Sequence, residues 1–208
     1  MKDTRVNSEL PKEAWDQYWK HVRLISFFAN LYRKNFLSRP MSRMIEKYFP
    51  ESGVFLEAGC GSATDAFYYQ KRVRKFIAMD ISEAALQLAI KQKNIDEVRL
   101  GDICAIAFPD NHFDGIWNLG VMEHFRPEEM ERAFSEMRRV LKPGACVILL
   151  WPSLWNLVNV FFWWLFPQMP SLLRSRRQGE SILRQNNFQP CEAVNTIMGD
   201  IILVGRKI

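Results

Sequence analysis

Val54-Phe55-Leu56-Glu57-Ala58-Gly59-Cys60-Gly61-Ser62-Ala63-Thr64 decides how this chain folds. Three apolar residues read as a buried strand, Glu57 ends it, and a turn of small residues follows. Gly59 and Gly61 carry no Cβ, so their backbone can approach a ligand closely. A second apolar stretch, Phe76-Ile77-Ala78-Met79, ends in Asp80, 21 residues after Gly59. An acid about 20 residues beyond a glycine turn is the spacing that meets a ribose hydroxyl in a nucleotide-binding βαβ unit.

Outward from that turn, strands and helices alternate. Strands are expected at 54–57, 76–80, 98–101, 113–119 and 145–151, with helices at 63–70, 82–93 and 127–141 between them. Ser82 has the side chain of an N-cap. Pro127 fits a first helical turn, and Glu128, Glu129 and Glu131 sit at the favourable end of that helix's dipole. Lys142-Pro143-Gly144 reads as a turn. A helix at 181–186 and strands near 193–198 and 201–205 close the chain. Alternation of this kind implies a doubly wound, Rossmann-like α/β fold. Its seven-stranded, mostly parallel sheet would end in an antiparallel C-terminal hairpin. Asp65, on the expected 63–70 helix, reads as a solvated residue.

Residues 12–48 carry apolar side chains at helical spacing. Trp15, Tyr18 and Trp19 open that stretch, and Met41, Met44, Ile45 and Tyr48 follow Pro40 as a further short helix. Two or three helices therefore precede the first strand, and residues 1–50 are expected to form a cap or lid on the 51–208 domain. An aromatic insert at 152–178 breaks the alternation. Residues 154–166 contain no charge, and Pro167, Pro170, Arg174, Arg176 and Arg177 follow. Those 13 residues are short of the ~20 that span a bilayer.

With 208 residues, 48% of them apolar and 25% charged, the chain can bury a full core in one domain. Cys60, Cys104, Cys146 and Cys191 are widely spaced, which favours reduced, buried thiols over disulfides and offers no metal ligand cluster. The net charge of +5 divides into +5 over 1–50, −3 over 51–150 and +3 over 151–208. A basic periphery suits a solvated surface, an anionic membrane or nucleic acid. The first 20 residues lack an apolar targeting core, which favours a cytoplasmic location.

Three further motifs follow in order: Gly101-Asp102-Ile103; then 108–125, from Phe108-Pro109-Asp110 to Met122-Glu123-His124-Phe125; then Met137 to Gly144. Over 52–151 the chain resembles the class I S-adenosylmethionine-dependent methyltransferases of the small-molecule type, similar to the ubiquinone and sterol methyltransferases. The resemblance implies that Glu57, Gly59 and Gly61 hold the methionine part of S-adenosylmethionine. It implies that Asp80 takes the ribose hydroxyls and Ile81 packs on the adenine, which Asp102 and Ile103 also contact. Asn118 and Leu119 would lie beside the sulfonium and the acceptor, and S-adenosylhomocysteine would be the product. Ala63 stands where the family commonly has glycine. Glu57 and Asp102 also fit the bland role of strand-end caps.

His124, with Glu123, is the candidate for a general base, and also fits a site-lining or structural role. A base is needed only if the nucleophile must lose a proton. Trp15, Tyr18 and Trp19 are candidates for a lid over cofactor or acceptor. Trp155 and Phe162 in the insert suggest a small hydrophobic acceptor, with peripheral membrane contact as the companion reading. The rival readings are a nicotinamide-dependent oxidoreductase, disfavoured because Thr64 stands where a third glycine belongs, and a non-catalytic cofactor-binding regulator. Nucleic-acid methylation is disfavoured because Asn118-Leu119-Gly120-Val121 occupies the place of an Asn/Asp-Pro-Pro-aromatic motif.

Overall fold

In the computed structural model, residues 12–21, 36–68, 73–153, 173 and 175–208 are described. Among the described residues, α1 (Lys12–His21) and α2 (Ser38–Tyr48) precede the sheet. The sheet is built from β1 (Ser52–Ala58), β2 (Val73–Asp80), β3 (Glu97–Leu100), β4 (Phe113–Leu119), β5 (Leu141–Trp151), β6 (Phe188–Asn195) and β7 (Ile201–Lys207). Helices α3 (Glu83–Ala89), α4 (Pro127–Val140) and α5 (Arg176–Gln185) lie between them. The strand order is β3-β2-β1-β4-β5-β7-β6. Pairing is parallel from β3 to β5, and β7 runs antiparallel to both β5 and β6. The expected architecture holds, including the C-terminal hairpin. Chain order reverses between β1 and β4, which opens a crevice at their carboxyl ends.

Side chains alternate across each strand, so each face of the sheet needs its own cover. On one face Phe55, Phe76, Trp117, Ile148 and Ile202 meet Met41, Ile45 and Phe49 from α2 and its end. On the other, Leu56, Ile77, Ile116, Leu149 and Leu203 meet Phe134 and Met137 of α4 and Leu183 of α5. Trp117 is fully buried, with Phe76 edge-on at 5.7 Å. Each such side chain contributes about 1.5–3 kcal/mol through burial. Arg74 fixes α2 to β2: its guanidinium donates to the carbonyls of Phe49 and Pro50 and pairs with Glu46.

Several elements differ from expectation. The 63–70 helix is, among the described residues, a 3-10 turn at Thr64–Tyr68. Its entry is made of i to i+3 bonds, Ala63 N–H to the Cys60 carbonyl and Ala66 N–H to the Ala63 carbonyl. Asp65 on that turn is fully buried rather than solvated. Helix α3 keeps Ser82 as its cap, Oγ accepting from Ala85 N–H, but ends at Ala89. Residues 142–144 do not end a strand. They lie inside β5 as an irregularity in its pairing with β4, where the register passes from Phe113–Leu141 to Gly115–Cys146. Helix α5 starts five residues earlier than expected, because Ser175 is its N-cap, its Oγ accepting from Gln178 N–H. Strand β6 begins at Phe188 and ends before Thr196. Cys60 and Cys146 are buried as expected, whereas Cys104 is half-buried and Cys191 exposed.

The ends of the aromatic insert meet: Leu173 N–H donates to the Pro152 carbonyl, and Ser153 bridges Leu173. Trp155, Phe162 and the apolar run between these ends lie outside the described residues. No described helix is long and apolar enough to cross a membrane.

Candidate active site

The glycine turn is tied to the end of β2. Gly59 and Cys60 both donate backbone N–H bonds to the Met79 carbonyl, at 2.8 and 3.0 Å. Asp80 completes the tie. One carboxylate oxygen accepts from Gly61 N–H at 2.7 Å and the other from Ser82 N–H at 2.9 Å. A buried carboxylate bonded this way makes two charge-assisted hydrogen bonds, which fixes turn and helix start together. Gly59 adopts φ +75°, and a Cβ built on it would stand 2.7 Å from Cγ2 of Val121. Only glycine fits there. Ala63, the departure from the family pattern, takes φ +47° and is fully buried.

The other predicted residues lie at or just beyond the ends of β1, β2, β3 and β4. Glu57, at the end of β1, and Asn118, at the end of β4, are both 0% exposed. Neither the amide oxygen nor the amide nitrogen of Asn118 has a hydrogen-bond partner among the described residues. A buried amide in that state is costly, by about 1–3 kcal/mol for each lost bond, unless a ligand or water satisfies it. Leu119 and Ile103 are buried, and Ile81 is half-buried directly after Asp80. Asp102 is exposed and bonds within its own loop, accepting from Cys104 N–H at 2.8 Å and pairing with Ala105 in an antiparallel bridge. Burial, reinforced by the Asp102 charge, pushes the Cys104 thiol up to about 12. Among the described residues no cluster of His, Cys, Asp and Glu could hold a metal.

Across the crevice, a short 3-10 turn (Met122–His124) follows β4. Glu123 is buried, and its Oε1 lies 3.8 Å from Nε2 of His124. Trp15 of α1 stands edge-on to the His124 ring at 5.0 Å. Tyr18 contacts both Trp15 and Trp19 edge-on, and is itself 42% exposed. The residue between the two sides escaped sequence reasoning. Asp16 accepts from Ser82 Oγ and from Ala84 N–H, so α1 is bonded to the start of α3 while Trp15 touches His124. One charged residue on a polar helix face carries no sequence signal for such a contact.

Residues 56–149 match the sequence model of a family described as the methyltransferase domain. Over that stretch the chain is a methyltransferase domain of the class I S-adenosylmethionine-dependent kind. It is 34% identical over 108 residues to a malonyl-[acyl-carrier protein] O-methyltransferase of Erwinia pyrifoliae, covering 51% of this chain and 40% of that protein. It is 30% identical over 114 residues to a demethylmenaquinone methyltransferase of Symbiobacterium thermophilum, covering 50% and 45%. The chain spans 35% to 51% of the length of the first curated relatives it matches. In fold, the chain resembles the Burkholderia thailandensis 1,6-didemethyltoxoflavin-N1-methyltransferase, solved with 1,6-didemethyltoxoflavin and S-adenosylhomocysteine bound. The TM-score is 0.72 at 14% identity, over 94% of this chain and 86% of that one. The matched stretch contains the glycine turn, Asp80, Asp102, Asn118 and His124. Helix α1, with Trp15 and Asp16, lies outside it.

Proposed function

We propose that this methyltransferase binds S-adenosylmethionine in the β1–β4 crevice and transfers its methyl group to a small, apolar acceptor. The observation that carries the reading is the turn at Gly59–Gly61 held by Asp80, together with an Asn118 amide whose two polar atoms are buried without partners among the described residues. A glycine backbone held open by a buried carboxylate, with an unsatisfied amide nearby, fits a polar nucleoside rather than an empty core. A carboxylate accepts about four hydrogen bonds, so ribose hydroxyls can share Asp80 with its two backbone donors. Glu57, Gly59 and Gly61 are assigned to the amino-acid end of the cofactor. Ile81, Asp102 and Ile103 are assigned to the adenine, and Asn118 and Leu119 to the reacting end.

When bound, S-adenosylmethionine supplies an electrophilic methyl carbon on a sulfonium. The chain's part is to align an acceptor atom about 3 Å from that carbon and to exclude water. Trp15, Tyr18 and Trp19 are assigned to the cover over the crevice, so that α1 acts as its lid while α2 belongs to the core of the domain. His124 and Glu123 belong to the acceptor side. Where the acceptor is a hydroxyl, it must lose its proton on methylation, and His124 would take that proton.

The apolar acceptor rests on the uncharged aromatic sequence 154–166 and on exposed Arg176 and Arg177, which follow it in the chain. Trp and Arg in that arrangement suit peripheral contact with an anionic bilayer. Two relatives are named for O-methylation of malonyl-[acyl-carrier protein] and for methylation of demethylmenaquinone, which makes a carboxylate oxygen and a quinone the first acceptors to try. The test uses S-adenosylmethionine labelled in its methyl group and a panel of quinones, fatty acids and polar metabolites. Label should pass into the organic-soluble acceptors. Turnover confined to polar acceptors, with no binding to anionic liposomes, overturns the apolar assignment.

A further inference from the structure

We infer that Asp16 is a positioning residue that latches α1 to the cofactor-binding carboxylate through Ser82, so that cofactor retention and lid closure are one event. The inference rests on the reading of Asp80 given under the proposed function.

Through its backbone N–H and its Oγ, Ser82 is bonded in three directions. Its backbone N–H donates to Asp80 Oδ1 at 2.9 Å, and its Oγ accepts from Ala85 N–H at 3.2 Å. The same Oγ donates its single proton to Asp16 Oδ1, which also takes Ala84 N–H at 3.2 Å. The hydroxyl is buried, and its acceptor and donor roles leave it one orientation. Gly61, Asp80, Ser82 and Asp16 thus form a continuous chain from the glycine turn to the lid. One residue before Asp16, Trp15 rests on His124 across the crevice. Helix α1 therefore touches both walls, through a charged hydrogen bond on the β2 side and a ring contact on the β4 side. Anything that draws Asp80 into place aligns Ser82 and strengthens its bond to Asp16. Anything that frees Asp16 lets Trp15 leave His124. The coupling must be reciprocal, because it is an equilibrium free energy.

The test compares wild type with Asp16→Ala and Asp16→Asn, using S-adenosylhomocysteine as the probe. Stopped-flow displacement should show dissociation about tenfold faster for Asp16→Ala, the scale set by losing a charge-assisted hydrogen bond. Asp16→Asn keeps an acceptor oxygen and should fall between the two. Hydrogen exchange supplies a readout that a merely structural role would not move. In wild type, S-adenosylhomocysteine should slow exchange of the 12–21 amides. In Asp16→Ala that slowing should disappear, while the Gly61 amide stays protected by Asp80. Equal dissociation rates and equal protection of 12–21 in wild type and Asp16→Ala overturn the latch. Failure of wild type itself to bind the probe would instead overturn the proposed function.

Discussion

Replacing Gly59 by alanine separates the two reasons why glycine stands there. The first is conformational: at φ +75° an L side chain meets its own backbone, at about 1–2 kcal/mol. The second is steric: the new Cβ would lie 2.7 Å from Val121 Cγ2, and such overpacking costs about 1–3 kcal/mol. Together they predict a loss of about 2–5 kcal/mol, or roughly 5–15 °C in Tm for a domain of this size. Val121→Ala removes the obstructing methyl groups but leaves φ unchanged. The Gly59→Ala/Val121→Ala protein should therefore recover the steric share alone, giving a coupling energy of about 1–3 kcal/mol in a double-mutant cycle. Urea unfolding of the four proteins, followed by circular dichroism, measures it. Effects of the two substitutions that add to within about 0.5 kcal/mol would refute the contact, because such additivity is the mark of independent sites. No loss in Gly59→Ala would refute the conformation of the turn.

Trp117→Ala, in the fully buried cluster under α2, should cost about 3–5 kcal/mol by denaturant unfolding. Glu192 accepts hydrogen bonds from Lys47 at 2.7 Å and Tyr48 at 2.6 Å, and these hold its carboxyl below the ordinary 4.5. Its contribution is therefore present above pH 4.5 and is lost as pH falls through the lowered folded value. The stability difference between wild type and Glu192→Gln should accordingly shrink on acidification below that pH, and a difference that grows instead would contradict the pairing. Cys191 is exposed, while burial raises the Cys104 thiol to about 12. A limiting thiol reagent at pH 8 should label Cys191 first and leave Cys104 unmodified in the folded protein, as peptide mapping would show.

Much of this was legible in the residues because local and global signals agree. Apolar runs ending in Glu57, Asp80 and Asn118 mark strand ends, and the strand β4 at 113–119 is found as expected. Boundaries slipped where hydrogen bonding rather than hydropathy decides them. Ser175 and Ser181 are alike in sequence, and only the bond from Gln178 N–H distinguishes the cap. Lys142-Pro143-Gly144 has turn chemistry, yet pairing on both sides carries it within β5. Asp65 looks solvated in an isolated helix, and the packed 3-10 turn buries it. The bond from Ser82 to Asp16 joins residues 66 apart and has no local signature at all.

Calorimetry of S-adenosylhomocysteine binding to wild type and Asp80→Asn, with NADH as the control, bears most directly on the crevice. Asn in place of Asp80 can accept from Gly61 or Ser82 but not offer an oxygen to both, so the turn loosens and the ribose loses its acceptor. Wild type should bind the nucleoside and ignore NADH, and Asp80→Asn should bind it at least about tenfold more weakly. Heat from NADH alone, or equal affinity for S-adenosylhomocysteine in both proteins, would contradict the account.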